Sequence, residues 1–274
     1  MTSRLAPYDL DDLGQRDPAR IAWLARFYER TLARYHRPSV RGVERVPDGP
    51  VLYVGNHNAG LWSPDSFALC HAIIQARGVD AVPYGLAHEV ALSLPPLNQM
   101  LVPLGAVRAS HENALRLLAS GRSVLVYPGG DVDAMRPARR RGEVVFDGRR
   151  GFVRLALRAG VPIVPVATAG AHDTFRVLTD GRAIARALRL DRALRLDVFP
   201  ITLALPWGVM VGPMFYLPLP ATFATEVLPP IRFERSGEAA ADDAAYVHAC
   251  AARVLGELQR AVTRLEDTLP RRAR

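Results

Sequence analysis

Apolar positions recur at two spacings along this chain, and the alternation of the two predicts the fold. From residue 18 to 35, Ile21, Leu24, Tyr28 and Leu32 recur every three to four residues, which predicts an amphipathic helix. Short apolar runs bounded by turn residues then predict strands over residues 51–55, 81–84, 101–107, 123–127 and 163–167. Helical patterns separate these runs. The alternation indicates an α/β fold with a largely parallel sheet.

The starts of the predicted helices carry the residue types that cap helices. Ser63 precedes Pro64 and predicts a helix to about Gln75, while Ser110 predicts a second helix to Ala119. A third helix is predicted over residues 151–159, and the apolar periodicity of residues 239–269 predicts a long helix at the C-terminal end. These elements predict one domain in which a mixed, mostly parallel sheet is flanked by helices.

The composition adds a basic surface to this picture. The 274 residues carry a net charge of +8, and all 35 basic residues are arginine. Arginine grips phosphate with two parallel hydrogen bonds, so a membrane, a phosphorylated ligand and a nucleic acid are all candidate partners. Arg26, Arg30 and Arg34 form a stripe beside Trp23 and Phe27, which is typical of a helix on a bilayer and also of an ordinary surface helix.

One long apolar segment has two interpretations. Residues 198–225 hold no charge but contain five prolines, which excludes a spanning helix. Within it, residues 199–223 fit either an acyl-chain or membrane-facing surface or irregular core strands. The N-terminal residues carry early acids and no apolar core, so we expect no signal peptide. The two cysteines, Cys70 and Cys250, predict neither a disulfide framework nor a metal site.

A histidine and an aspartate follow the first core strand. His57 comes just after the predicted strand end at Gly55, and ligands bind at that edge of open α/β sheets. Asp65 lies in the first turn of the next predicted helix and can reach back to the imidazole. A carboxylate on one ring nitrogen leaves the other basic, which makes His57 a candidate general base. The alternative is a turn histidine beside an aspartate that favours a helix N-terminus.

A glycine turn and an arginine cluster come next. Tyr127, Pro128, Gly129 and Gly130 end a predicted strand, and backbone without Cβ atoms lets a ligand approach the N–H groups closely. Eight arginines follow in residues 136–158. Each feature alone is compatible with a plain turn and a solvated face. Their adjacency favours contact with a phosphate. The other histidines lack ligand spacing, so no metal is predicted, and the scarcity of aromatics among the arginines argues against a nucleic-acid partner.

The order of four segments resembles a known family. The His57–Asp65 pair, residues 105–110, the strand into Tyr-Pro-Gly-Gly, and the Val-Pro-Ile-Val-Pro-Val run of residues 161–166 resemble the four motif blocks of the glycerolipid acyltransferases typified by 1-acylglycerol-3-phosphate acyltransferase (PlsC-like). The Tyr-Pro-Gly-Gly form is similar to the branch that contains type 2 diacylglycerol acyltransferases. The resemblance implies a glycerol-3-phosphate acyltransferase-like fold, with residues 1–40 as an N-terminal amphipathic helical segment and residues 41–274 as the acyltransferase domain.

The resemblance also implies a chemistry. His57 acts as general base on an acceptor hydroxyl that attacks the thioester of acyl-CoA or acyl-carrier protein, Asp65 orients His57, and neither cofactor nor metal is required. The family's motif separates His and Asp by four residues, whereas seven separate them here. The implied substrate-binding residues are Gly105, Arg108, His111, Tyr127, Pro128, Gly129, Gly130, Arg136 and Arg149.

The resulting hypothesis is an O-acyltransferase that acts on a lysophospholipid or related glycerolipid. Its predicted partners are an acyl thioester, a lipid acceptor and a membrane surface, with no nucleic acid. Its predicted location is the cytoplasmic side of the inner or plasma membrane, as a peripheral protein. The alternative is a catalytically inactive relative that binds anionic lipid.

Overall fold

Ten strands form two sheets in the part of the chain that the structure describes. The computed structural model describes residues 8–58, 60, 63–190, 197–212 and 216–270. Its strands are β1 (Ser39–Arg41), β2 (Leu52–Gly55), β3 (Tyr84–Ala87), β4 (Ala106–Arg108), β5 (Val124–Val126), β6 (Ile163–Ala169), β7 (Arg176–Thr179), β8 (Ile201–Ala204), β9 (Gly208–Val211) and β10 (Ala224–Val227).

The larger sheet has seven strands in the order β1-β10-β6-β2-β5-β3-β4. The five strands from β6 to β4 are mutually parallel, whereas β10 runs antiparallel to β6 and carries β1 parallel to itself. The carboxyl ends of β2, β5, β3 and β4 therefore meet at one edge. The predicted mixed, mostly parallel sheet is confirmed.

Eleven α-helices lie within the described residues. They are α1 (Pro18–Arg30), α2 (Leu32–His36), α3 (Pro64–Arg77), α4 (Glu89–Ser93), α5 (Pro95–Leu101), α6 (His111–Ala119), α7 (Gly130–Ala134), α8 (Gly151–Ala159), α9 (Arg182–Ala187), α10 (Glu238–Asp242) and α11 (Ala244–Thr268). Within these residues, no helix is both long and apolar enough to cross a bilayer.

Successive residues of the central strands bury themselves on opposite faces of the sheet. Leu52 and Val54 of β2 join a large core beneath α6, α8, α10 and α11, whereas Tyr53 packs on the other face with Leu69 and Ile73 of α3. Because both faces are covered, β2 and β6 are buried along their whole length, as the continuous apolar runs predict.

Several predicted boundaries move. The strand predicted at residues 81–84 is wrong in position, because residues 79–81 form a 3-10 turn and β3 starts only at Tyr84. The strand predicted over 101–107 is confined to β4, since α5 and a second 3-10 turn occupy residues 95–104. The long C-terminal helix is confirmed, but Asp243 interrupts it and caps α11 with its side chain. Thr31 similarly separates α1 from α2.

Two strands of the smaller sheet, β8 and β9, come from the segment that the sequence left with two interpretations, and the third, β7, precedes that segment. Strands β7, β8 and β9 are antiparallel in that order. Their inner residues Val177, Ala204 and Met210 pack with Val132 and Met135, which belong to α7 and the residue after it. Residues 213–215 of the same segment lie outside the described part of the chain.

Candidate active site

His57 lies on a loop that is tied to the sheet at its first residue. β2 ends at Gly55, and the buried side chain of Asn56 both donates to the Thr168 carbonyl oxygen and accepts from the Thr168 amide of β6, each at 2.9 Å. These two bonds hold the start of the loop against the neighbouring strand. His57 therefore lies at the carboxyl edge of the sheet, as the sequence predicts.

The His57 ring is held by one stacked ring and one hydroxyl. It stacks on Tyr127 with ring centroids 4.6 Å apart, and Ser63 Oγ lies 3.5 Å from Nδ1. Burial, followed by the positive charge of Arg136, lowers the pKa of His57 to about 4. The imidazole is therefore neutral at pH 7, the protonation state that a general base requires.

The stacking of His57 on Tyr127 requires a glycine at position 55. Val54 of β2 pairs with Val126 of β5, so both strands end side by side and Tyr127 comes next to the His57 loop. A Cβ atom on Gly55 would lie 2.6 Å from Cε1 of Tyr127. The Tyr127 hydroxyl is fixed in turn by Ser66 Oγ of α3, at 2.6 Å. Tyr127 thus joins the turn after β5 to the start of α3.

Asp65 does not bond to the histidine ring. Its buried carboxylate accepts from Asn58 Nδ2 and from the Ser66 amide, each at 3.1 Å. The predicted direct hydrogen bond between Asp65 and His57 is therefore wrong. Asp65 Oδ2 accepts from Asn58, which lies within the lengthened spacing, and Oδ1 accepts from the Ser66 amide in the first turn of α3. Burial raises the pKa of Asp65 to about 6, although hydrogen bonds from Asn58 and Ser63 lower this pKa in part. Ser63 thus contacts the ring and lowers the pKa of Asp65.

The sequence reading missed Asp133, which fixes the His57 backbone. Its fully buried carboxylate accepts from the His57 amide at 2.5 Å and from the Val145 amide at 3.0 Å. Burial raises the pKa of Asp133 to about 6, although the charge of Arg136 opposes this. Asp133 follows the Gly129-Gly130 turn by one helical turn, and a Cβ atom on Gly129 would overlap the Val145 carbonyl oxygen. In the sequence, the only sign of this role is that Asp133 is the second acidic residue after the Gly129-Gly130 pair.

Arg136 is buried and committed to protein partners. Nη1 donates to the His57 carbonyl oxygen at 2.7 Å and to Asp133, while Nη2 donates to Asn58 Oδ1 at 2.7 Å. Nε and Nη2 also donate to the Arg141 carbonyl oxygen. With its donors engaged and its surface 1% exposed, Arg136 does not offer the phosphate contact predicted from the sequence. Instead it holds the loop at the His57 carbonyl oxygen and at the Asn58 side chain.

Arg149 is a partly exposed arginine beside the Gly129-Gly130 turn. Arg149 donates to the Gly129 carbonyl oxygen at 2.9 Å, pairs with Asp197 at 2.7 Å, and keeps 38% of its side chain exposed. Pro128 is buried beneath it and accepts a longer bond from the same guanidinium. The predicted residues of this turn and Arg149 thus come together beside His57.

The three predicted residues of the second block lie farther along the sheet. β4 is its edge strand, three positions from β2. Gly105 precedes β4 and so lies at the amino edge, opposite His57. Arg108 ends β4 at the carboxyl edge and pairs with Asp11 and Glu89. His111 is exposed at the start of α6, with Nε2 3.3 Å from the Gly151 carbonyl oxygen. Of the three, only Arg108 and His111 therefore lie at the same edge of the sheet as His57.

Among the described residues, no three His, Cys, Asp or Glu side chains are grouped to hold an ion. The arrangement presents instead a neutral histidine, a glycine turn and an exposed guanidinium at one sheet edge. These groups suit proton abstraction from a hydroxyl beside an anionic ligand.

Comparisons with known proteins agree with this arrangement. The sequence model of the family named Acyltransferase matches residues 37–169, which include His57, the glycine turn and Arg149. An uncharacterized protein of Mycobacterium tuberculosis is 32% identical over 241 residues, covering 86% of this chain and 63% of that protein. Phytyl ester synthase 1, chloroplastic, of Arabidopsis thaliana is 30% identical over 148 residues, covering 52% of this chain and 20% of that protein. The chain thus spans less than two thirds of either relative.

One solved structure has the same fold. The 1-acyl-sn-glycerophosphate (LPA) acyltransferase PlsC from Thermotoga maritima superposes with a TM-score of 0.58 and covers 92% of this chain and 83% of its own. At 18% identity, this match establishes the fold.

Proposed function

We propose that this chain, whose residues 37–169 match the sequence model of the Acyltransferase family, transfers a fatty acyl group from a thioester to a hydroxyl of a lysophospholipid or related glycerolipid. The observation that carries the proposal is the neutral His57, partly exposed beside the glycine turn with its Nδ1 facing Ser63. Both acyl-CoA and acyl-carrier protein suit the site as donors.

His57 performs the proton transfer in this proposal. With Nδ1 directed at Ser63, Nε2 is the nitrogen that accepts the proton of the acceptor hydroxyl. The oxygen attacks the thioester carbonyl carbon, the C–S bond of the resulting tetrahedral intermediate breaks, and Nε2 returns its proton to the departing thiolate. General base catalysis of this kind contributes about 10²–10⁴-fold in rate.

The neighbouring polar groups position His57. Ser63 faces its ring, and Asp65 acts on the ring through Ser63 rather than directly. Asp133 and Arg136 fix the loop backbone through the amide and the carbonyl of His57. Because these groups are already bonded before substrate arrives, they hold the base without rearrangement during the reaction.

The anionic parts of the substrates are assigned to the carboxyl edge of the sheet. Arg149 and the backbone of the Tyr127–Gly130 turn, which is partly exposed at Tyr127 and Gly130, suit the group nearest the reacting carbonyl. Arg108 and His111 lie farther along the same edge and suit a headgroup phosphate. Gly105 is left out of the binding role because it lies at the opposite edge.

A peripheral membrane location is part of the proposal, on the cytoplasmic side of the inner or plasma membrane. Trp23 and Phe27 of α1 are exposed and stack with centroids 5.6 Å apart. Arg26, Arg30 and Arg34 are exposed beside them. An aromatic pair flanked by arginines is the composition of helices that lie on anionic bilayers.

The second candidate is an inactive lipid-binding relative, which the missing bond between Asp65 and His57 favours. The deciding experiment incubates the protein with a long-chain acyl-CoA or acyl-carrier protein and a panel of lysolipids, and follows release of the free thiol. His57→Ala should lower the rate at least about 10²-fold. His248→Ala, an exposed histidine of α11, is the matched control and should match wild type. Equal, slow thiol release by wild type and His57→Ala with every acceptor overturns the proposal.

A further inference from the structure

The smaller sheet has an apolar outer face. Ile201 pairs with Val211 and Leu203 with Val209, so their side chains form two rows on the side away from the core. Val209 is 63% exposed, and Leu203, Val211 and Leu178 of β7 are also exposed. The inward residues Thr202 and Met210 are buried. Contiguous exposed apolar side chains on a sheet face mark an interaction surface, whereas scattered ones do not.

The apolar surface continues onto the turn between β8 and β9. Leu205 and Trp207 are exposed there, Trp207 at 57%. Leu217 is 62% exposed and is held beside them, since its amide donates to the Leu205 carbonyl oxygen at 2.8 Å. A tryptophan at the tip of an apolar surface is typical of proteins that sit at the boundary between lipid headgroups and acyl chains.

The charges around this face are mostly positive. The described residues between positions 176 and 217 contain four arginines and two aspartates. Arg176, Arg186 and Arg189 are exposed, and none forms an ion pair with a described carboxylate. An apolar face with a cationic rim complements an anionic bilayer, because apolar insertion and headgroup attraction then act together.

The face is also connected to both the site and α1. Its inner side packs on Val132 and Met135, directly after the glycine turn beside His57. Tyr35 Oη of α2 donates to the Pro218 carbonyl oxygen at 2.9 Å, which joins the helix after α1 to the segment that follows Leu217. The sheet face and the aromatic pair of α1 thus belong to one connected part of the molecule.

We propose that the outer face of β7–β9, with Trp207 at its tip, inserts into the headgroup region of an anionic phospholipid bilayer as a second contact besides α1. It presents the site to acceptors that reside in the membrane. The inference rests on the proposed lipid acceptor for its purpose, whereas the contact itself is measured without catalysis.

The test uses tryptophan as the probe. In Trp23→Phe/Trp62→Phe protein, Trp207 alone emits, and vesicles of phosphatidylcholine with about one third phosphatidylglycerol should shift its emission to the blue. Brominated acyl chains should quench it. Pure phosphatidylcholine should act weakly. Trp62→Phe/Trp207→Phe protein reports on α1 in the same way. Unchanged Trp207 emission with vesicles that sediment the protein overturns the proposal.

A substitution series tests the face itself. Leu203→Thr/Val209→Thr/Val211→Thr keeps strand-forming residues while removing apolar surface, and should weaken vesicle binding at least about tenfold. His57→Ala should bind vesicles as wild type does, so loss of catalysis and loss of binding are distinguishable. If the triple variant instead converts a dimer to a monomer in analytical ultracentrifugation and leaves vesicle binding unchanged, the face joins two copies of the chain and the proposal is overturned.

Discussion

The carboxylate of Asp133 accepts a hydrogen bond from the backbone amide of His57, at 2.5 Å. Arg136 donates to the carbonyl oxygen of the same residue and to Asp133 as well. The backbone of the proposed base is thus held from both sides by one buried ion pair. Its ring is held separately, by Tyr127 and Ser63. Substitutions can therefore test backbone placement and ring orientation independently.

The acid limb of kcat/KM is expected well below pH 6.5. Burial lowers the pKa of His57 to about 4, so the neutral form that accepts a proton predominates above that pH and is lost only as the pH falls through it. Rates are measured from about pH 3 to 8, with circular dichroism to show that the protein stays folded.

Asp65 is the other group whose titration could appear in this pH profile. Burial raises the pKa of Asp65 to about 6, so its protonation would place a limb near that pH. Such a limb should disappear in Asp65→Asn, whereas one due to His57 should persist. A midpoint at 6.5 in both proteins would contradict the buried, neutral histidine.

Ser63→Ala is expected to lower kcat about tenfold and leave the acceptor KM unchanged, because the hydroxyl orients the ring and touches no substrate in the proposal. Ser63→Thr keeps a hydroxyl and should retain most of the rate. If Asp65 acts through Ser63, the Ser63→Ala/Asp65→Asn double variant should be no slower than the slower single variant. Additive losses in this double-mutant cycle would show that Asp65 acts by another route.

The sequence was sufficient for features that depend on neighbouring residues. The buried runs of β2 and β6, the cap of α6 at Ser110 and the place of His57 after β2 all follow from local patterns. The Ser110 hydroxyl indeed accepts from the Asn113 amide. Ser63 precedes α3 as predicted but makes no capping bond with its side chain, which faces His57 instead.

The features that the sequence could not supply depend on contacts between distant segments. Arg136 stands in a run of arginines that predicts a solvated or phosphate-binding face, yet its side chain is buried because Asp133 and three carbonyl oxygens surround it. The start of β3 is equally non-local, because pairing with β5 fixes it at Tyr84 rather than at the apolar run before it. Local periodicity carries no information on either.

Gly55→Ala is expected to lower both stability and activity. The added Cβ atom would lie 2.6 Å from the Tyr127 ring, which must then move away from His57. Overpacking of this kind costs about 1–3 kcal/mol of unfolding free energy, measured by denaturant titration. Gly85→Ala is the matched comparison, because an added Cβ atom there meets nothing within 4 Å and Gly85 does not have a positive φ. Tyr127→Phe should keep the stack and most of the activity; a large loss would assign the role to the hydroxyl.

Arg136→Lys and Arg149→Ala are expected to affect different kinetic constants. Lysine keeps the charge beside Asp133 but cannot bond simultaneously to the His57 carbonyl, Asn58 and Arg141. Arg136→Lys should therefore lower kcat and the unfolding free energy, the latter by about 2 kcal/mol, with little change in acceptor KM.

Arg149→Ala should instead raise the KM of an anionic substrate, because its exposed guanidinium lies at the glycine turn and is bonded mainly at the surface. Its unfolding free energy should fall by no more than about 1 kcal/mol, as for exposed ion pairs. Steady-state kinetics with a phosphorylated and an uncharged acceptor separates the two arginines. A KM increase confined to Arg136→Lys and to the phosphorylated acceptor would restore Arg136 to the phosphate contact and reverse the assignment.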